Sequence, residues 1–144
     1  MENVYVIYWS QTGNTKAMAD AIAKGIEEAG AKANLLEVSN ANVEDLKEAK
    51  AFALGCPAMG AEVLEESEME PFVEALTKFV EGKNVALFGS YGWGDGEWMR
   101  DWVERMEGAG ANVINNEGII CQEMPDDEAI AACEVLGKEV ALLA

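Results

Sequence analysis

The sequence predicts a doubly wound α/β domain on a five-stranded parallel sheet. Two observations carry this: short apolar runs with strand character alternate with segments of helical period along the whole chain, and the clearest runs are apolar at successive positions, as strands covered on both faces must be. Parallel neighbours joined this way need a helical, right-handed crossover each time. Val4 to Trp9 reads as the first strand. From about Thr15, Met18, Ala21, Ile22, Gly25, Ile26 and Ala29 mark one face of a helix that should stop near Gly30. Asn34 to Val38 reads as a strand, Val43 to Glu48 as a short helix, and Ala51 to Gly55 as a buried strand ending at glycine. Pro71 suits the first turn of the next helix, whose apolar face is Phe72, Val73, Leu76, Phe79 and Val80. Val85 to Phe88 forms the fourth strand, and Trp98, Met99, Trp102, Val103 and Met106 mark the helix after it. A broken strand region between Val113 and Cys121 precedes a final helix from about Asp127, which buries Ile130, Cys133, Leu136 and Val140.

The chain has 144 residues and no repeat or linker-like stretch, so one domain spanning 1–144 is expected. Asp and Glu number 27 against 10 Lys and Arg, a net charge of -17. That balance argues against nucleic acid and anionic membranes, and it favours encounters with basic patches on partner proteins. No apolar run approaches the roughly 20 residues of a membrane span, and Met1-Glu2-Asn3 lacks the basic region of a signal peptide. A soluble cytoplasmic protein is expected. Cys56, Cys121 and Cys133 are odd in number and lack C-x-x-C spacing, so they read as buried thiols, with no metal site.

The first strand runs into the first helix through Ser10-Gln11-Thr12-Gly13-Asn14-Thr15. Hydroxyls, an amide and the free N–H groups of a helix start suit a phosphate. The loop has no lysine or arginine and lacks the G-x-x-x-x-G-K-[ST] order of a triphosphate loop, so a monophosphate held by neutral donors is expected. In a doubly wound sheet the ligand lies beyond the carboxyl ends of the strands where strand order reverses. Two further loops should therefore converge on this one: Pro57 to Leu64, and Ser90 to Trp98 with three glycines around Trp93. Glycines let the backbone approach a ligand closely, while an indole there covers something flat. A phosphate at one end and a planar ring at the other are implied.

These segments resemble the short-chain flavodoxins, FMN-binding electron carriers of anaerobic bacteria. The first loop is similar to the family's S-x-T-G-N-T, Gly55-Cys56-Pro57-Ala58-Met59-Gly60-Ala61-Glu62 to its G-C-[SP]-A-M-G-x-E, and Gly89 to Met99 to its G-S-Y-G-W-G-x-G-x-W-M. The likeness covers nearly the whole chain and implies strand order 2-1-3-4-5. It implies that Ser10, Thr12, Asn14 and Thr15 hold the FMN phosphate, with amides of the loop, Gln11 and Gly13 included, completing the cage. Met59 and Trp93 would flank the isoalloxazine and Glu62 accept a hydrogen bond from its N3. Backbone around Ser90, Tyr91, Gly92 and Gly94 would meet the pyrimidine side. Pro57 and Ala58 would lie along the ribityl chain, with proline removing a hydroxyl that some members have there, and Gln122 would lie near the ring.

The resemblance also implies an electron carrier, not an enzyme, shuttling single electrons at low potential through the semiquinone and hydroquinone in place of ferredoxin. Acids at Glu62, Glu65, Glu66, Asp95 and Glu97 would disfavour added negative charge, and Glu62, Glu65, Glu66 and Glu97 would ring the exposed flavin edge. The implied partners are basic patches of ferredoxin-using oxidoreductases, hydrogenase or a flavoprotein reductase, met by a monomer. A redox switch at Gly60 and Ala61 is implied as well, in which the peptide between them flips and the turn exchanges type II for type II′, moving the positive φ from Ala61 to Gly60. Alanine resists that angle and glycine does not, so Ala61 should bias the turn toward its reduced form. Rival chemistries lack their residues: a phosphatase would need a cysteine and an arginine in the first loop, and a receiver domain would need acids where Tyr8-Trp9-Ser10 stands. An FMN-dependent reductase would need a substrate pocket over the flavin edge that no loop is long enough to form.

Overall fold

The structure, a computed structural model, describes residues 3–60 and 62–144. Its strands are β1 (Asn3–Tyr8), β2 (Lys32–Glu37), β3 (Ala51–Gly55), β4 (Asn84–Tyr91), β5 (Asn112–Val113) and β6 (Ile119–Gln122); its α-helices are α1 (Asn14–Glu28), α2 (Met69–Leu76), α3 (Glu97–Gly108) and α4 (Asp127–Leu143). The sheet runs β2-β1-β3-β4-β5, all parallel, as expected from the sequence. Its fifth position is shared by two segments, since β5 pairs with the start of β4 and β6 with its end, from Phe88↔Ile119 to Tyr91↔Gln122. The break between them turns through Asn115 and Asn116, both at positive φ, a conformation Asn tolerates better than most residues.

One core layer packs Ile7, Phe52, Leu54, Val85 and Leu87 against α2 and α3; the other packs Val4, Val6, Ala53, Ala86 and Phe88 against α1 and α4. Successive strand residues therefore serve opposite layers, which is why the runs read as uniformly apolar. The boundaries differ at several points. Strand β2 starts two residues early, and Val38 begins a 3-10 turn; Val43–Leu46 is likewise 3-10. Helix α2 starts at Met69, ahead of Pro71, and ends at Leu76, so the half-buried Phe79 and buried Val80 pack from the turn that follows. Ser90 and Tyr91 belong to β4, not to a loop, because β6 supplies a pairing partner there. Cys56 and Cys133 are buried, whereas Cys121 is half-exposed on β6. Among the described residues no helix is long and apolar enough to cross a membrane.

Candidate functional site

Strand order reverses between β1 and β3, and a cleft of about 160 Å³ opens beyond their carboxyl ends and that of β4. Ser10, Gln11, Thr12, Asn14, Thr15, Pro57, Ala58, Met59, Ser90, Tyr91 and Gly92 line it. Gly13, Gly60, Glu62, Trp93, Gly94 and Gln122 stand outside that lining, and Ala61 lies outside the described residues. Glu123 also lines the cleft, although the sequence does not point to it; it sits at φ 59 with its N–H donated to the Tyr91 carbonyl at 2.8 Å. Nothing in its sequence context marks this turn.

The first loop is ordered by its own hydroxyl. Ser10 Oγ accepts the N–H groups of Gly13 at 3.1 Å and Lys16 at 3.3 Å, which leaves its proton free to donate. Gly13 caps α1 at φ 94, an angle a side chain resists. The first turn of α1 contains no acid and is capped by the neutral Ser10 hydroxyl on the Lys16 N–H, while α2, α3 and α4 each carry acid there. In a chain with 27 acids, this helix start keeps its positive end open to an anion. Lys16 does not supply a cation to the loop, because its ammonium pairs with Asp20 at 3.1 Å along the helix. Thr15, 1 % exposed, turns its hydroxyl to Ser90 Oγ at 3.1 Å and accepts the Ser90 N–H at 3.4 Å, joining the loop to β4.

In the second loop Met59 and Val63 exchange both backbone hydrogen bonds, at 2.9 and 3.0 Å, with Gly60 at φ 48 and Glu62 at φ 56. Left-handed glutamate is strained by about 1 kcal/mol. Glu62 turns its carboxylate onto the third loop, where Oε1 accepts the Gly96 N–H at 3.3 Å and packs on Gly94, which at φ 90 leaves no room for a Cβ. Trp93 is 66 % exposed at the tip of that loop. Arg100 steadies the loop by donating to the Asp95 carbonyl and carboxylate at 2.9 and 3.0 Å, and Gln122 Nε2 donates to the Gly92 carbonyl at 3.2 Å.

One expectation needs correction. Glu65 does not belong to an acidic ring around an exposed edge: it is 8 % exposed and turned inward, its carboxylate accepting the N–H groups of Ser67, Glu68 and Met69. Burial pushes this carboxyl up, but the N–H groups of Met69, Glu68 and Ser67 outweigh that and hold it below the ordinary carboxylate range. Trp9 is a second contact that the sequence does not mark; its Nε1 donates to Glu68 Oε1 at 3.2 Å and ties the start of the first loop to α2.

A doubly wound sheet with a lysine-free anion loop at its switch point defines a protein of the mononucleotide-binding class. The flavodoxin family model matches residues 6–135. The chain is 53 % identical to the flavodoxin of Clostridium beijerinckii, over 94 % of this chain and 97 % of that one, and 46 % identical to the flavodoxin of Megasphaera elsdenii, over 96 % and 98 %. The solution structure of the two-electron reduced Megasphaera elsdenii protein superimposes with a TM-score of 0.88 over 96 % of this chain and 98 % of that one. The chain belongs to the flavodoxin family, whose members carry electrons on bound FMN and are not themselves enzymes. The cleft fits that cofactor: its acid-free helix start and hydroxyl-rich first loop suit a phosphate, and Met59 and Tyr91 line it as well.

Proposed function

We propose that FMN lies with its phosphate in the first loop and its ring between the second and third, and that this chain, acting as one domain and as a monomer in the cytoplasm, passes electrons to and from enzymes that also use ferredoxin. The observation that carries the reading is the acid-free start of α1 beside the cleft, capped by a neutral hydroxyl and not by a carboxylate. When bound, FMN supplies reversible uptake of one electron at a time. Ser10, Thr12 and Asn14, with the amides of the loop, receive the phosphate, while the Gly13 N–H on Ser10 and the Thr15 hydroxyl on Ser90 hold the loop in shape around it. Pro57 and Ala58 border the ribityl chain. Met59 and Trp93 cover the ring faces and exclude water; Glu62 accepts the N3 proton; the backbone of Ser90, Tyr91, Gly92 and Gly94 meets the pyrimidine side, braced by Gln122. These neutral and acidic surroundings disfavour added negative charge and so keep the second electron at low potential.

The reading of Gly60 and Ala61 as the redox switch rests on the resemblance; Gly60 stands at φ 48, an angle that glycine accepts, but Met59 pairs with Val63 and not with Glu62, which itself stands at φ 56. Ala61→Gly should then stabilise the opposite turn by up to about 1 kcal/mol and make the first electron harder to add; an easier first reduction would contradict it. Partners are expected to present lysines and arginines to a surface where Trp93, Val63 and Met124 are exposed among acids. Electron transfer should therefore slow as ionic strength rises, and rates indifferent to salt would remove the steering argument. The experiment that tests the whole is an anaerobic stepwise reductive titration with FMN added, followed by visible spectroscopy. A yellow protein that takes up its two electrons in separate steps supports the carrier; a single two-electron step with rapid turnover by quinone or nicotinamide overturns it.

A further inference from the structure

The loop from Pro57 to Leu64 leaves the sheet and returns through a neck. On the outgoing side Cys56 donates its N–H to the Phe88 carbonyl at 3.1 Å and Ala58 donates to the Ser90 carbonyl at 3.0 Å. On the returning side the Glu65 N–H donates to Cys56 Sγ at 3.4 Å and closes the loop on itself. Glu65 is in turn fixed by its own carboxylate. Oε1 accepts from Glu68 N–H at 2.7 Å and Met69 N–H at 3.1 Å, Oε2 accepts from Ser67 N–H at 2.8 Å, and the Glu65 carbonyl accepts from Glu70 N–H at 2.8 Å. Further out, Met59 and Val63 exchange both backbone hydrogen bonds and close a second, smaller ring.

We propose that Glu65 is a positioning residue for electron carriage: with Cys56 it clamps the neck of the 57–64 loop, so that Met59 stays in place when the flavin changes charge. This rests on the reading that the loop meets the flavin. Hydrogen bonds from N–H groups to a buried carboxylate are roughly twice as strong as neutral ones. Three of them converging on one side chain hold it against thermal motion far better than the sulfur contact could alone. Glutamine keeps the shape but loses the charge, and its amide nitrogen turns a donor toward N–H groups that need an acceptor. With the neck loosened, Met59 and Gly60 shift as a body with the rest of the loop. The loop then adapts to each charge state instead of favouring one, and its fit to the bound cofactor weakens.

Glu65→Gln should raise the FMN dissociation constant at least tenfold, read by flavin fluorescence, and change the separation between the two one-electron potentials, with the far-UV spectrum of the apoprotein retained. Val140→Ala, in the core layer on the opposite face of the sheet, is the control for stability alone and should lower the melting temperature while leaving FMN affinity and both potentials in place. The clamp is refuted if Glu65→Gln binds FMN as tightly as the parent with both potentials unmoved, or if Val140→Ala moves them equally. Cys56→Ala removes the acceptor at the neck without touching the charge and should reproduce the change more weakly. If Glu65→Gln does not fold, Cys56→Ala takes its place: a shifted affinity and potential separation support the clamp, and unmoved ones refute it. Met59→Ala separates the two ways of failing. If Met59→Ala weakens FMN binding and Glu65→Gln does not, the clamp alone falls; if neither does, the placement of this loop against the flavin falls with it.

Discussion

Helices α1 and α2 follow the first two loops of the site, and the chain finishes their N-termini in opposite ways. At α1 the first turn lacks acid, the capping position is Gly13, and among the described residues the one side chain on a first-turn N–H is the neutral Ser10 hydroxyl. At α2 the inward carboxylate of Glu65 takes three N–H groups, and Glu70 adds a further acid, itself held by Arg105 through bonds of 2.9 and 2.7 Å. The same physics of unpaired N–H groups at the positive end of a helix thus does two jobs. Where the protein supplies the anion, the helix start becomes a rigid support; where it withholds one, the start remains available to a ligand.

The largest effect should come from making α1 resemble α2. Asn14→Asp places a carboxylate in the loop proposed to hold the phosphate, and like charges a few ångströms apart near a protein surface repel by about 3 kcal/mol, so FMN affinity should fall about a hundredfold in a fluorescence titration. The apoprotein should gain about 0.3–1 kcal/mol in urea unfolding, since acid at a helix start is favourable. An apoprotein destabilised by the change, with FMN binding intact, would break the contrast.

The converse change opens α2. Glu65→Gln should cost the apoprotein about 1–3 kcal/mol, as loss of buried charge-assisted bonds does. This contribution has a pH signature. Because the folded-state carboxyl is held below its ordinary value, the stabilisation is complete above the unfolded pKa of about 4.3 and is lost as pH falls through the lower folded value. The stability gap between parent and Glu65→Gln should be flat around neutrality and close in acid. The neighbouring groups are Glu68, the Arg105-paired Glu70 and Cys56, whose thiol burial pushes up to about 12, leaving it neutral throughout this range. A gap that widened in acid would show that Glu65 is not the titrating cap.

A smaller effect should follow at Gly94, which joins the second loop to the third. Gly94→Ala requires a left-handed alanine, costing about 1 kcal/mol, and drives the Glu62 carboxylate from the Gly96 N–H. Thermal melting should show the modest loss, and FMN affinity should fall severalfold; unchanged affinity would mean the bridge between the loops plays no part in binding.

Much of this was legible in the residues. The order of strands and helices followed from apolar runs and helical spacing, because burial on both faces of a sheet leaves a pattern that no neighbouring element can disguise. Most of the cleft lining followed too, since a lysine-free loop of small polar residues between a strand and a helix has few other uses. The inward turn of Glu65 was not legible. Amid Glu62, Glu65, Glu66, Glu68 and Glu70, local sequence offers no sign of which carboxylate faces the protein. The choice is made where α2, the Cys56 sulfur and the returning loop meet. The same holds for Glu123, whose left-handed turn is set by its bond to the end of β4.

Sequence by itself determined the fold class, the strand order through its resemblance, the open anion loop and the family, because each rests on local chemistry or on periodicity along the chain. Tertiary structure alone decided the extension of β4 through Tyr91, the division of the fifth sheet position, the early start of α2 and the burial of one acid among many. Those outcomes depend on which distant groups satisfy a given N–H or carboxylate, and a donor's partner is chosen in space.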